Sequence, residues 1–263
     1  MSNRVIAITG ASAGIGRATA LRLARDGAAI AACARRADRL DTLAAEIAAA
    51  GGQALPIVAD VAREADMTRF VADTVARFGR LDVMMCNAGY GIYGAIDRVT
   101  PDQMQRVMDV NFMGTYYAAR AALSIFCKQA TGGHIIIISS IVGKRGVPYM
   151  GAYSATKFAQ VGLAECLRAE VDGTNIHVSV VFPVSTVTEF TDVMSRESGF
   201  ATSGKGPRQA AEQVAESIAR AIERPVPEVY PLQKARVLVV LNAIAPGFTD
   251  RVVKRWGRKP IDE

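Results

Sequence analysis

Tyr153, Lys157, Ser140 and Asn111 are the residues of this sequence best placed to do chemistry. Tyr153 and Lys157 stand at i and i+4 in a stretch of helical period, so both side chains leave one face of a helix. A phenol with its reference pKa of ~10 is a poor base at neutral pH. A neighbouring ammonium favours the phenolate and lowers that value, which makes Tyr153 a usable general acid/base. Ser140 follows the apolar run Ile135-Ile136-Ile137-Ile138. Its hydroxyl suits holding a reacting oxygen while hydride moves to or from the attached carbon.

A second group of residues suits a dinucleotide. Thr9-Gly10-Ala11-Ser12-Ala13-Gly14-Ile15-Gly16 joins the first apolar run to a helical stretch. Glycines there permit a tight turn and let backbone N–H groups and a helix N-terminus approach a pyrophosphate. An NAD site places Asp or Glu about 20 residues further on, at the ribose 2′-hydroxyl. Here the segment reads Cys33-Ala34-Arg35-Arg36. Guanidinium groups pair with a 2′-phosphate, so the expected cofactor is NADP(H), with Arg35 the first contact and Arg36 the second. Asp60-Val61 and Asn87-Ala88-Gly89 close the third and fourth apolar runs. Asp60 suits the adenine amino group, and the small residues 88–89 suit close approach of the adenosine half.

The elements that must position these groups alternate along the chain. Expected strands are Val5–Thr9, Ala28–Ala34, Ala54–Val58, Leu81–Cys86, His134–Ser139, Asn175–Phe182 and Glu228–Tyr230. Helical patterns lie near 15–25, 38–49, 64–77, 102–129, 152–171 and 208–223. Several strands are continuously apolar, the mark of strands covered on both faces. The expectation is an α/β fold, a doubly wound Rossmann-type parallel sheet with helices on both faces. Residues 1–230 would form one catalytic domain, with 184–207 an irregular substrate loop or lid. Residues 231–263 would be a C-terminal helical extension with a basic end. Tyr90, Tyr93, Tyr149 and Met150 flank the motif loops and are expected to wall a substrate pocket.

Composition narrows the function. The chain has 263 residues, half of them apolar and 21% charged, which excludes intrinsic disorder and a small disulfide scaffold. Four dispersed cysteines form no metal-ligand spacing, so no metal site and a reducing, cytoplasmic setting are expected. Three of the cysteines lie in apolar runs and are expected to be buried. His134 and His177 are expected to be structural. No secretory leader or membrane span is expected. The net charge of +6 comes with no nucleic-acid motif, so nucleic acid is not an expected partner. The apolar and basic stretch 237–259 would either touch an anionic membrane peripherally or form a helix over the substrate site or a subunit interface.

TGASAGIG (9–16), DV (60–61), NAG (87–89), Asn111, ISS (138–140) and YSATK (153–157) together resemble the short-chain dehydrogenase/reductase family in order and spacing. The resemblance implies that Tyr153 is the acid/base and that Ser140 orients the substrate. It implies that Lys157 holds the nicotinamide ribose and depresses the Tyr153 pKa, and that Asn111 supports a water-linked proton relay. Ile15 would lie beside the pyrophosphate, and Thr188, after Pro183, beside the nicotinamide carboxamide. Two departures stand out. Val184 replaces a glycine common after Pro183, and Ala13 replaces a basic residue common in NADP users, leaving Arg35, Arg36 and Ser12 for the 2′-phosphate. The expected activity is interconversion of an apolar carbonyl and its alcohol by a homodimer or homotetramer. The competing reading is a catalytically silent dinucleotide-binding sensor or scaffold, against which the intact Ser140, Tyr153, Lys157 and Asn111 argue.

Overall fold

The computed structural model describes residues 1, 3–199 and 208–254. Seven parallel strands form one sheet: β1 (Val5–Thr9), β2 (Ala29–Ala34), β3 (Gln53–Val58), β4 (Val83–Cys86), β5 (Gly133–Ile138), β6 (Ile176–Val181) and, after a two-stranded pair, β9 (Glu228–Val229). Their order is β3-β2-β1-β4-β5-β6-β9. The chain therefore winds outward in one direction through β3 and in the other through β6. The reversal falls between β1 and β4, where an open α/β sheet leaves a crevice at its carboxyl edge. This is the expected doubly wound Rossmann-type fold.

Alternate residues of each strand feed two apolar layers. Ala7, Cys33, Met84 and Ile135 face α3 (Glu64–Phe78), α5 (Gly114–Phe126) and α6 (Gly151–Glu170), which contribute Phe70, Phe126 and Leu167 among others. Ile6, Ile30, Met85 and Ile136 face α1 (Gly14–Arg25), α2 (Ala37–Ala49) and α8 (Ala211–Glu223). The four consecutive isoleucines of β5 are thus divided between the layers. Their unbroken apolarity reflects a strand with no solvent face.

Three expectations need correction. The stretch near 102–129 is not one regular helix: α4 (Pro101–Met108) passes through a π-helical turn, Asp109–Met113, into α5. Asn111 sits in that turn, and such turns collect at functional sites. The 184–207 segment is not irregular where it is described. β7 (Thr186–Val187) pairs with β8 (Gln209–Ala210), and α7 (Phe190–Ser198) lies between them in sequence. Two cysteines are buried rather than three: Cys33 and Cys86 are enclosed by the sheet, whereas Cys127 and Cys166 are exposed.

Beyond β9 the chain forms α9 (Ala235–Ile244) and α10 (Pro246–Val253). The basic residues expected at 255–259 lie outside the described residues. Among the described residues no helix is long and apolar enough to cross a membrane. Within those residues no group of three His, Cys, Asp or Glu stands close enough to hold a metal. His134 is buried, its Nε2 sits 2.8 Å from Ser179 Oγ, and burial pulls its pKa down to about 3.

Candidate active site

The floor of the crevice is built from backbone. Thr9 Oγ1, at the end of β1, accepts from the N–H groups of Asn87 (2.9 Å) and Ala88 (3.1 Å) at the end of β4. Asn87 returns its amide to the carbonyls of Thr9 (2.9 Å) and Gly10 (3.1 Å). Gly10 takes φ +66°, and a Cβ there would stand 2.7 Å from the Ala88 Cα. At Gly16 a Cβ would stand 2.5 Å from the Gly10 carbonyl oxygen. Only glycine fits either position, and the turn is thereby pressed flat beneath the N-terminus of α1. No acidic residue occupies the first turn of α1, which leaves its amide dipole open to an anion. Ile15 is partly buried beside the α1 layer.

Around this floor the other nucleotide-site candidates are brought to the same edge of the sheet. One Asp60 carboxylate oxygen accepts from Ala62 N at 3.1 Å. Val61 packs where a Cβ on Gly114 would meet it. Gly89 lies against the Asn111 side chain. Arg36 donates to Ser12 Oγ at 3.1 Å, joining two residues assigned to a 2′-phosphate, while Arg35 is exposed. Arg36 also forms an ion pair with Glu189 at 2.8 Å, and Arg39 approaches the same carboxylate at 3.7 Å. The guanidinium hydrogen bond holds the Glu189 carboxyl below its ordinary range. Thr188 reaches back over the turn, its Cγ2 3.0 Å from where a Gly14 Cβ would lie.

The catalytic candidates converge at the next strand edge. Ser140 caps the short 3-10 turn Ile141–Gly143, with its hydroxyl 3.4 Å from the Pro183 carbonyl. The same hydroxyl interacts with the Tyr153 phenol and lowers that group's pKa. Ser139 faces the other way, donating to the Lys157 carbonyl at 3.0 Å. The two neighbouring hydroxyls therefore meet different partners. Lys157 Nζ lies 5.6 Å from the Tyr153 ring centroid and donates to Ile138 O (2.8 Å) and Gln160 Oε1 (3.1 Å).

Charge at this pair departs from the expected balance. Burial pushes the Tyr153 phenol up, partly opposed by the Ser140 hydrogen bond. Burial also pulls the Lys157 ammonium down to about 7. Both shifts favour neutral forms, because the partners of Lys157 are neutral carbonyl oxygens that compensate desolvation weakly. The depressed Tyr153 expected from a nearby ammonium is not the condition of this closed, buried arrangement.

Asn111 is fully buried. Its side chain clamps the 87–95 loop, accepting from Tyr90 N (3.0 Å) and donating to Tyr90 O (2.9 Å) and Thr156 Oγ1 (3.0 Å). Its main-chain carbonyl accepts from Gln160 Nε2 at 2.7 Å. Gln160 therefore links Lys157 to the Asn111 carbonyl directly. The sequence reading passed over Gln160. Its signal was a polar residue three positions after Lys157 on the same helix face.

α7 packs over this site. Phe190 packs on Tyr153 with ring centroids 5.4 Å apart. Phe190 and Met194 fill the space a Gly91 side chain would need, at 2.9 and 3.0 Å. The Tyr93 N–H donates to Ser198 Oγ at 2.8 Å, and Gln103 reaches the Glu197 carbonyl. Tyr93 also meets Tyr149, with centroids 5.9 Å apart. Tyr149 takes φ +64°, a left-handed conformation rare for an aromatic residue and a form of strain that concentrates at functional sites. Val184 has no such conformation, so the chain after Pro183 runs without the positive φ that a glycine permits.

The short chain dehydrogenase family model matches residues 4–198. The chain belongs to this family, whose members are oxidoreductases built around a dinucleotide site. An uncharacterized oxidoreductase of Bacillus subtilis, YxnA, is 33% identical over 261 residues, covering 97% of this chain and 72% of the relative. An alcohol dehydrogenase of Thermococcus sibiricus, solved with 5-hydroxy-NADP, superposes with TM-score 0.77 at 29% identity, covering 86% of this chain and 95% of that one. A short chain dehydrogenase of Mycobacterium paratuberculosis bound to NAD does so with TM-score 0.76 at 28% identity, covering 87% and 96%.

Proposed function

We propose that this protein is an NADP(H)-dependent oxidoreductase that interconverts an apolar carbonyl compound and its alcohol, with Tyr153 as general acid/base. The observation that carries the reading is the convergence of Tyr153, Ser140 and Lys157 at one buried strand edge beside the glycine cradle. The turn fits a dinucleotide because the N-terminus of α1 has no side-chain cap and no acidic residue in its first turn, so its N–H groups can meet a pyrophosphate. Lys157 fits as well: an ammonium has three donors, and two of them are taken by protein oxygens.

When bound, the dinucleotide would supply or accept hydride at its nicotinamide. Gly10, Gly14, Ile15 and Gly16 would hold the pyrophosphate. Asp60, Val61, Asn87, Ala88 and Gly89 would hold the adenosine half. Lys157, Pro183 and Thr188 would border the nicotinamide half. In reduction Tyr153 gives its phenolic proton to the carbonyl oxygen, which Ser140 holds by a second hydrogen bond. Lys157 then stabilises the phenolate left behind. Burial that keeps the phenol protonated suits this direction. Phe190, Met194 and Tyr149 bring apolar and aromatic surface to the site, which favours an apolar substrate.

Preference for NADP(H) rests on Arg36 and Ser12 standing together at the end of β2, with Arg35 beside them and no carboxylate on that turn. A homodimer or homotetramer is favoured by the exposed aromatic side chains Tyr116 on α5 and Phe158 on α6. Free cysteines without disulfides suit a cytoplasmic setting. A panel of ketones and alcohols assayed with both cofactors tests the reading. Turnover with NADPH should exceed that with NADH by at least about tenfold, and Arg36→Asp should narrow the gap. Equal use of NADH by the unaltered protein would overturn the cofactor assignment.

A further inference from the structure

One helix of the fold is left half uncovered. On α9, Val237, Val240 and Ile244 fall at i, i+3 and i+7, on one face, and Phe248 is a further exposed apolar side chain on the adjoining helix α10. They are 68%, 49%, 78% and 53% exposed, and no residue of α9 is buried. The row is not a frayed end, because the other face of α9 is anchored. Val239 packs on the core, and Asn242 accepts from Arg145 at 3.0 Å and donates to the Lys144 carbonyl at 3.4 Å. Asp250 of α10 is ion-paired with Arg145. The row therefore has a fixed position relative to the Ser140 loop, from which Lys144 and Arg145 follow.

Charge indicates what covers it. Lys234 and Arg236 stand at one end of the row, and Arg251 and Lys254 at the other, all exposed. None of the four forms an ion pair among the described residues. A second copy of the chain packed about a two-fold axis would set these basic ends against basic ends, whether the helices ran parallel or antiparallel. An anionic bilayer complements both features. Apolar side chains enter the boundary between headgroups and acyl chains while lysines and arginines meet lipid phosphates. We infer that the outer face of α9 and α10 docks this protein on the surface of an anionic phospholipid bilayer. The docking does not depend on the oxidoreductase reading.

Full-length protein sedimented with large unilamellar vesicles tests the inference. Binding to phosphatidylcholine vesicles with ~30% phosphatidylglycerol should exceed binding to phosphatidylcholine alone by at least about tenfold, and should weaken at ~0.5 M salt. Val237→Ser/Val240→Ser/Ile244→Ser and Lys234→Glu/Arg236→Glu should each weaken it about tenfold or more while leaving thermal unfolding unchanged. These positions are exposed, so the variants retain the core. Equal binding to neutral and anionic vesicles would overturn the proposal, as would variants that bind like the unaltered protein. A triple serine variant whose light-scattering mass falls while vesicle binding persists would assign the row to a second copy and overturn it too.

Discussion

The two walls of the crevice are made in different ways. On the nucleotide side, the Thr9 hydroxyl and the Asn87 amide tie two strand ends together through main-chain N–H and carbonyl groups, and at Gly10 and Gly16 the tolerances are set by where a single Cβ would fall. On the substrate side, α7 is held by side-chain contacts: Phe190 on Tyr153, Met194 over Gly91, Ser198 to Tyr93, Glu189 to Arg36. Backbone packing of the first kind has one solution. Side-chain packing of the second kind can be undone and remade, which suits the cover that the proposed reaction needs. A rigid ligand cradle and a releasable cover thus meet at Tyr153.

Breaking the cradle should do the most damage. Gly10→Ala combines a left-handed backbone with a 2.7 Å clash, and should cost about 2–4 kcal/mol of stability and abolish dinucleotide binding. Chemical denaturation and a fluorescence titration check both. Next comes Lys157. Its folded pKa of about 7 lies below its unfolded value of ~10.4, so between those values the unfolded chain binds more protons and stability rises with pH. Below about pH 7 both states carry the charge, and the burial penalty applies in full. From pH 7 to 9, without bound dinucleotide, the unaltered protein should gain on the order of 2 kcal/mol relative to Lys157→Met.

The cover should respond differently. Phe190→Ala should raise KM for the carbonyl substrate by about tenfold and leave the dinucleotide Kd unchanged, the converse of the cradle variant. The smallest effect is expected at Glu189. Its pairs with Arg36 and Arg39 are solvent-exposed, and such pairs contribute at most about 1 kcal/mol. Glu189→Gln frees Arg36, so NADPH should bind up to about fivefold tighter while NADH binding stays constant. If Glu189→Gln changed both cofactors equally, cover and cradle would not meet at Arg36 in the way described.

This division also explains what could be read from sequence. The fold was legible because β5 and its neighbours are apolar on both faces, and because the glycines of the first turn mark a backbone requirement. Tyr153, Lys157 and Ser140 were legible from fixed local spacings. The π-turn at Asn111 was not, because it is stabilised by bonds from Gln160 and to the Tyr90 loop, far away in the chain. Glu189 was invisible for the same reason, its partner Arg36 lying in the turn between β2 and α2, far away in the chain. The direction of the Tyr153 shift was misjudged because i, i+4 spacing locates Lys157 but says nothing about desolvation. The helical order of 190–198 was hidden among Ser, Thr and Asp residues that read equally well as loop.

The central claim is that the Tyr153 phenol passes the proton. Single-turnover reduction of an apolar ketone by Tyr153→Phe, with the dinucleotide Kd measured on the same preparation, tests it most directly. The account predicts a rate about a thousandfold lower with Kd unchanged within about twofold. A variant that turns over as fast as the unaltered protein would contradict it.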